Sequence, residues 1–187
     1  MIVDNERVEL PHNWRVIADK LDIKGYDRTL LACHFDGIYN LYNVLAMVDT
    51  GMTTDWHKVT DKTRSSRYRI HQGKLEYTRC NGKVIAPKVR KRSKNDTKHR
   101  NYYLVLGTNY MHRLAAQTVY NELGINVDGY KVHHRLIDET ATIKGNSLGY
   151  LCVLTDEEHT RLHQLLNYII EYVSDYISGQ LYLFDIV

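Results

Sequence analysis

The sequence predicts a mixed α+β protein, and three observations predict it. Short apolar and β-branched runs bounded by turn residues occupy the middle of the chain, while apolar spacing near 3.6 marks both ends. One strand–loop–strand–helix stretch then joins the two patterns around four histidines, His133, His134, His159 and His163. The expected organisation is a helical accessory segment over 1–57, a basic strand and loop segment over 58–110, and a third part over 111–187 ending in a long helix.

In the first segment, Asn13 to Leu21 and Ile38 to Val48 both repeat apolar residues at helical spacing, with Gly25 and Gly51 as breaks. Two short helices of this kind serve as a packing hairpin or as a DNA-reading helix-turn-helix. In the second segment Gln72-Gly73 and Asn81-Gly82 are turn signals, and the latter predicts a hairpin between Leu75–Arg79 and Lys83–Ala86. In the third, Tyr130 to His134 reads as a strand and Leu151 to Leu154 as its partner. Thr155-Asp-Glu-Glu158 has the form of a capping box: a hydroxyl at the cap, a carboxylate three residues on and an acidic first turn. The helix it opens carries the stripe Leu162, Leu165, Leu166, Ile169, Ile170, Val173 and Ile177, expected to end near Gly179. The stripe serves the core or a partner helix, and Leu181 to Val187 is expected as an apolar edge strand that packs or self-associates.

The charge is segregated. Of the 25 Lys and Arg, 16 fall between Lys58 and Arg113, together with 3 of the 22 Asp and Glu. That stretch is therefore strongly positive and the remainder negative, although the whole carries only +3. A one-sided positive field is the footprint of a polyanion partner. The expected contacts are Lys88, Arg90, Lys91, Arg92, Lys94, Lys98, Arg100 and Arg113, with Tyr68, Tyr77, Tyr102 and Tyr103 interleaved to stack on bases or simply to pack.

The histidines carry the chemistry. Residues 159 and 163 stand one helical turn apart, so a helix beginning at Thr155 puts both on one face. Successive strand side chains point to opposite faces, so only one of His133 and His134 joins them at a shared cation. The other is turned toward a substrate. Neutral imidazole is a common ligand for zinc and similar ions, and an open coordination position separates a catalytic site from a structural one.

Val132-His-His-Arg135, Gly145-Asn-Ser-Leu148 and Leu151 to His163 resemble the HNH nuclease family, whose ββα-metal fold uses this order of parts. Upstream, Asn101 to Leu106, Gly107-Thr-Asn109 and Tyr110-Met-His-Arg-Leu-Ala-Ala116 resemble the strand, turn and helix of phage and homing-type members. The likeness covers about residues 100 to 165. It implies His134 as the general base toward water, His133 as the first metal ligand, and His159 and His163 as the others. It also implies Asn146 as a residue that stabilises the loop or orients His134. In many members the middle Asn immediately precedes the second strand, a position held here by Tyr150. Asn146 lies four residues earlier, so the loop carries an insertion or the Asn role is lost.

Phosphodiester hydrolysis needs a base near neutral pH, which a histidine supplies, and stabilisation of developing negative charge, which a divalent metal supplies. Arg135 and Arg161 are expected to add positive charge near the phosphate. Three imidazoles favour zinc, manganese or nickel over magnesium, which prefers oxygen, although the resemblance also admits magnesium. The expected function is a metal-dependent DNA endonuclease or nickase, and the resemblance implies double-stranded DNA as the substrate and a 5′-phosphate on the product. The alternatives are a non-catalytic DNA-binding protein with a structural or vestigial metal, and a non-nuclease hydrolase using the same site.

Cys33, Cys80 and Cys152 form no close pair, which argues against a disulfide scaffold or cysteine zinc ribbon and fits a reducing compartment. No apolar run reaches membrane-spanning length and Met1 to Glu6 is unlike a signal peptide, so the expected setting is the cytoplasm; the resemblance to phage and homing-type members implies that of a bacterial or phage-infected cell. A homodimer through the C-terminal helix or tail is the further expectation.

Overall fold

Helices alternate with small antiparallel sheets along the chain. The computed structural model describes residues 2–3, 6–7, 14–37, 51–61, 63–91, 102–126 and 128–184; for 2–3, 6–7 and 176–184 the backbone alone is described. The expected helix over 38–48 and the basic residues Arg92, Lys94, Lys98 and Arg100 lie outside that set.

Strands β1 (Ile2–Val3) and β2 (Glu6–Arg7) form a short antiparallel pair. Helices α1 (Trp14–Lys20) and α2 (Gly25–Phe35) follow. Next, β3 (His57–Lys58), β4 (Arg67–His71) and β5 (Lys74–Thr78) make one antiparallel sheet. A second contains β6 (Lys88–Lys91), β7 (Tyr102–Leu106) and β8 (Asn109–Tyr110), which runs directly into α3 (Met111–Glu122). A final pair, β9 (Lys131–His134) and β10 (Leu151–Leu154), leads into α4 (Asp156–Phe184). The chain is α+β, and among the described residues no helix is long and apolar enough to cross a membrane.

Local sequence explains most of these elements. Gln72 and Gly73 both take positive φ, 49° and 70°, which matches the turn that joins β4 to β5 in register. At Asn81-Gly82 the turn forms, with Asn81 Oδ1 accepting from the amide of Lys83, but the expected second hairpin shrinks to one bridge between Thr78 and Val84. Pro87 offers no N–H to extend it, and Val84 is exposed, so little burial rewards a longer ladder. The capping box is complete: Glu158 N–H donates to Thr155 Oγ1 at 3.1 Å and Thr155 N–H to Glu158 Oε2 at 2.8 Å. Two expectations are corrected at the C-terminus. The helix runs through Gly179 to Phe184, so residues 181–184 are helical rather than an edge strand. A single Gly weakens a helix by only about 1 kcal/mol, and no proline follows it to force a stop.

Burial shows why the segment boundaries at 57 and 110 do not separate cores. Trp14, Ile17, Leu30 and Leu31 of the first segment pack in one cluster with Cys152, Leu154, Leu162, Leu166 and Ile169. Ile70 of the second packs with Ala116, Val119, Tyr120, Leu151 and Val153 of the third. Tyr68 and Tyr77 are buried with Leu104, Leu106, Met111 and Leu114, so these two tyrosines are core residues rather than base-stacking surfaces. Every residue of β10 is buried, and its alternation divides them: Cys152 and Leu154 face α1, α2 and α4, whereas Leu151 and Val153 face α3 and β4. The β9–β10 ribbon is thus a wall between two cores.

Candidate active site

The wall sorts the two adjacent histidines of β9. His133 pairs with Cys152 and His134 with Leu151, and directly opposed residues share a face. His133 therefore faces α2 and α4, and His134 faces α3. Both are buried, at 2% and 6% exposure.

On the α4 side, donor atoms of His133, His159 and His163 all lie within 4.8 Å of one another, close enough to hold a metal ion. Two nitrogens at 2.0–2.1 Å from a tetrahedral ion stand about 3.4 Å apart, so the donor set fits such an ion with small side-chain adjustments. Ring centroids of His133 stand 5.5 Å from His159 and 5.1 Å from His163, and those two stand 4.6 Å apart. Burial holds the pKa of His133 well below the ordinary histidine value, with the neighbouring imidazoles of His34, His163, His159 and His134 adding to the effect. Burial also lowers His163. His133 and His163 are therefore neutral near pH 7, the protonation state that a metal ligand requires.

On the α3 side, His134 meets Asn146. The Asn146 amide nitrogen donates to the carbonyls of Thr140 at 2.8 Å and Thr142 at 2.7 Å, which fixes the amide orientation. Its Oδ1 then faces His134 Nε2 at 3.3 Å. An amide oxygen only accepts, so Nε2 carries the proton and Nδ1 keeps a free lone pair. Burial lowers the His134 pKa, and the Asn146 contact partly opposes that shift. Asn146 is 1% exposed, so the shift of this residue away from the second strand leaves it inside the site. The loop that carries it is tied outward as well, because Thr140 Oγ1 donates to the carbonyl of Tyr102 at 2.6 Å.

The two arginines expected beside the phosphate have other partners. Arg135 donates from Nε to the carbonyl of His34 at 2.8 Å, and from its terminal nitrogens to Phe35 at 3.0 Å and Gly149 at 2.7 Å. It clamps the end of α2 to the ribbon, and a Cβ at Gly37 would meet that guanidinium at 2.5 Å. Arg161 pairs with Asp27 through both carboxylate oxygens, and this bond holds the Asp27 carboxyl below its usual range. Both cations are used to join α2 to the elements around it.

Of the expected DNA contacts, Lys88, Arg90 and Lys91 are exposed along β6, and Arg113 is exposed with its guanidinium 5.6 Å from the Tyr110 ring centre. Register puts Lys88 and Arg90 opposite Val105 and Tyr103 and so on the same sheet face. The Tyr103 ring is 5.8 Å from that of His134.

Two residues at the site are given no role in it by the sequence, although one of them, His112, lies in the Tyr110–Ala116 run that carries the resemblance. His34, from α2, sits with Nδ1 3.0 Å from Nε2 of His133. His112, from α3, packs edge-on against His134 at 4.4 Å between ring centres. Its Nδ1 has no hydrogen-bond partner among the described residues, and burial pushes its pKa down to about 2. A lone histidine near either end of a helix looks like any other, and only the tertiary packing distinguishes these two. Compared with protein-family models, curated proteins and solved structures, the chain has no match to any family model and no significant match to a curated protein or a solved structure.

Proposed function

We propose that this chain is a metal-dependent DNA endonuclease or nickase of the HNH type. One observation carries the reading: adjacent histidines on one strand are sent to opposite sides, His133 to a cluster of imidazoles and His134 to a loop asparagine. The order of parts, two antiparallel strands followed by a capped helix, supports the same reading.

In this scheme His133, His159 and His163 hold a divalent transition ion such as zinc, manganese or nickel, with magnesium as a further candidate. When bound, the ion supplies charge stabilisation to a phosphate oxygen and the departing oxygen. His134 takes a proton from water at Nδ1, because Asn146 keeps the other ring proton on Nε2. Asn146 is the positioning residue for that base. Among the described residues β9 pairs with β10 along one edge, and in this scheme the phosphate approaches along its other edge. Lys88 and Arg90, on the sheet face that carries Tyr103, guide the duplex backbone toward His134.

The test is supercoiled plasmid incubated with the purified chain and Mg²⁺, Mn²⁺ or Zn²⁺, with and without chelator. Nicking is expected with metal, lost with chelator, and reduced about 10²–10⁴-fold in His134→Ala while that variant still binds metal. The 6% exposure of His134 favours a second reading, a DNA-binding protein with a structural metal. Salt-sensitive DNA binding without cleavage under any of the three ions would establish that reading in place of the first.

A further inference from the structure

We infer that His34 of α2 is a fourth ligand of the cation site, closing an all-imidazole set with His133, His159 and His163. The inference rests on the metal-binding part of the proposed function and deepens it.

His34 Nδ1 lies 3.0 Å from His133 Nε2, across 99 residues of sequence. That spacing is what two neutral imidazoles show when one donates to the other. It is also near the separation of two nitrogens sharing one tetrahedral ion, about 3.4 Å. The two arrangements exclude each other, because Nε2 of His133 cannot bind a cation while its lone pair accepts from His34, nor while it carries the proton that it donates to His34. When an ion enters the cluster and takes Nε2 of His133, the hydrogen bond breaks. His34 is 6% exposed, so its freed nitrogen would then be a buried polar atom with no partner, which is costly. Ligation by that same nitrogen removes the problem.

The surroundings hold His34 where this requires. α2 packs against α4, the helix that supplies His159 and His163. Arg135, the residue after His134 on the chain, grips the carbonyl of His34 itself and that of Phe35. The set with donor atoms mutually within 4.8 Å stops at three residues, so His34 joins it by a side-chain rotation about a fixed backbone. Four protein ligands close a tetrahedral ion, whereas hydrolysis needs an open position. His34 comes from outside the strand–strand–helix unit, so its displacement leaves the three-histidine set whole, and the incoming phosphate or water becomes the hydrogen-bond partner of its freed nitrogen. The resting site is then closed and the working site open.

The experiment uses the full chain stripped of metal and titrated with Zn²⁺ and Co²⁺. In the zinc-loaded wild type, imidazole ¹⁵N shifts should place four ring nitrogens in the metal-bound range, one of them Nδ1 of His34. Three such nitrogens with His34 unmoved overturn the inference and leave the three-histidine site intact. None overturns the cation site itself, and His34 with it. A second arm replaces the residue. His34→Ala should weaken Co²⁺ binding by about 10–100-fold or more, an effect that a merely supporting hydrogen bond can also produce. His34→Cys separates the two roles: a thiolate-to-cobalt charge-transfer band absent from the wild type identifies a ligand. Co²⁺ binding without that band identifies a bystander.

Discussion

Asn146 presents its side-chain oxygen to Nε2 of His134 at 3.3 Å, with the amide turned that way by the carbonyls of Thr140 and Thr142. One side chain thereby does two things. It closes the loop between β9 and β10, and it selects the tautomer of the ring that the proposed chemistry needs as a base.

Removing Asn146 should therefore cost both stability and turnover. Asn146→Ala removes a buried side chain and its bonds to the part-buried carbonyls of Thr140 and Thr142, and is expected to lose about 1–3 kcal/mol in urea unfolding. Nicking should fall while metal stoichiometry stays at the wild-type value, since the ligands sit across the ribbon. Asn146→Asp should be worse than Ala, because carboxylate oxygens would face carbonyl oxygens. A variant Asn146→Ala that unfolds and nicks like the parent would remove the residue from the site.

Arg135 and Arg90 should behave as opposites, although both are arginines near the proposed substrate path. Arg135 spends three donors on main-chain carbonyls, so Arg135→Ala is expected to destabilise by about 2–3 kcal/mol. The salt dependence of DNA binding should be unchanged in the folded variant. Arg90 is exposed on β6, and Arg90→Ala should shift stability by no more than about 0.5 kcal/mol. It should flatten the plot of log binding constant against log salt by about one unit. The reverse pattern, a flatter slope in Arg135→Ala with stability retained, would make Arg135 a phosphate contact after all.

These contrasts also show which parts of the site are written locally. The alternation of His133 and His134, the capping box at Thr155 and Glu158, and the four-residue step from His159 to His163 each depend on neighbours within a turn or a strand. Such features follow from backbone geometry alone. Arg135 does not: two of its three partners are 100 and 101 residues away, and nothing beside it in the chain says that α2 ends there. The same holds for His34 and His112, which reach the site through helix packing. Asn146 lies between the two cases. Its Gly-Asn-Ser setting reads as a turn, and a turn it is, but its burial depends on how the loop folds back over His134.

His112 gives the fold a sensitivity to acid. Burial holds the ring neutral in the folded chain, with its pKa pushed down to about 2. In the unfolded chain the same ring takes up a proton as pH falls through about 6.5. The unfolded state then binds more protons, so this contribution to stability is full above that value and declines below it. The decline approaches about 1.4 kcal/mol per pH unit for each such histidine and continues until the folded ring itself titrates. His112→Phe removes that proton while keeping a ring against His134. Urea midpoints of metal-free protein, taken from about pH 7.5 down to about pH 4.5, should fall less steeply in the variant, by close to one proton's worth of slope. Parallel curves would mean that His112 is protonated in the folded chain. Its neighbour His134 would then face a charged ring, and burial would no longer account for its lowered pKa.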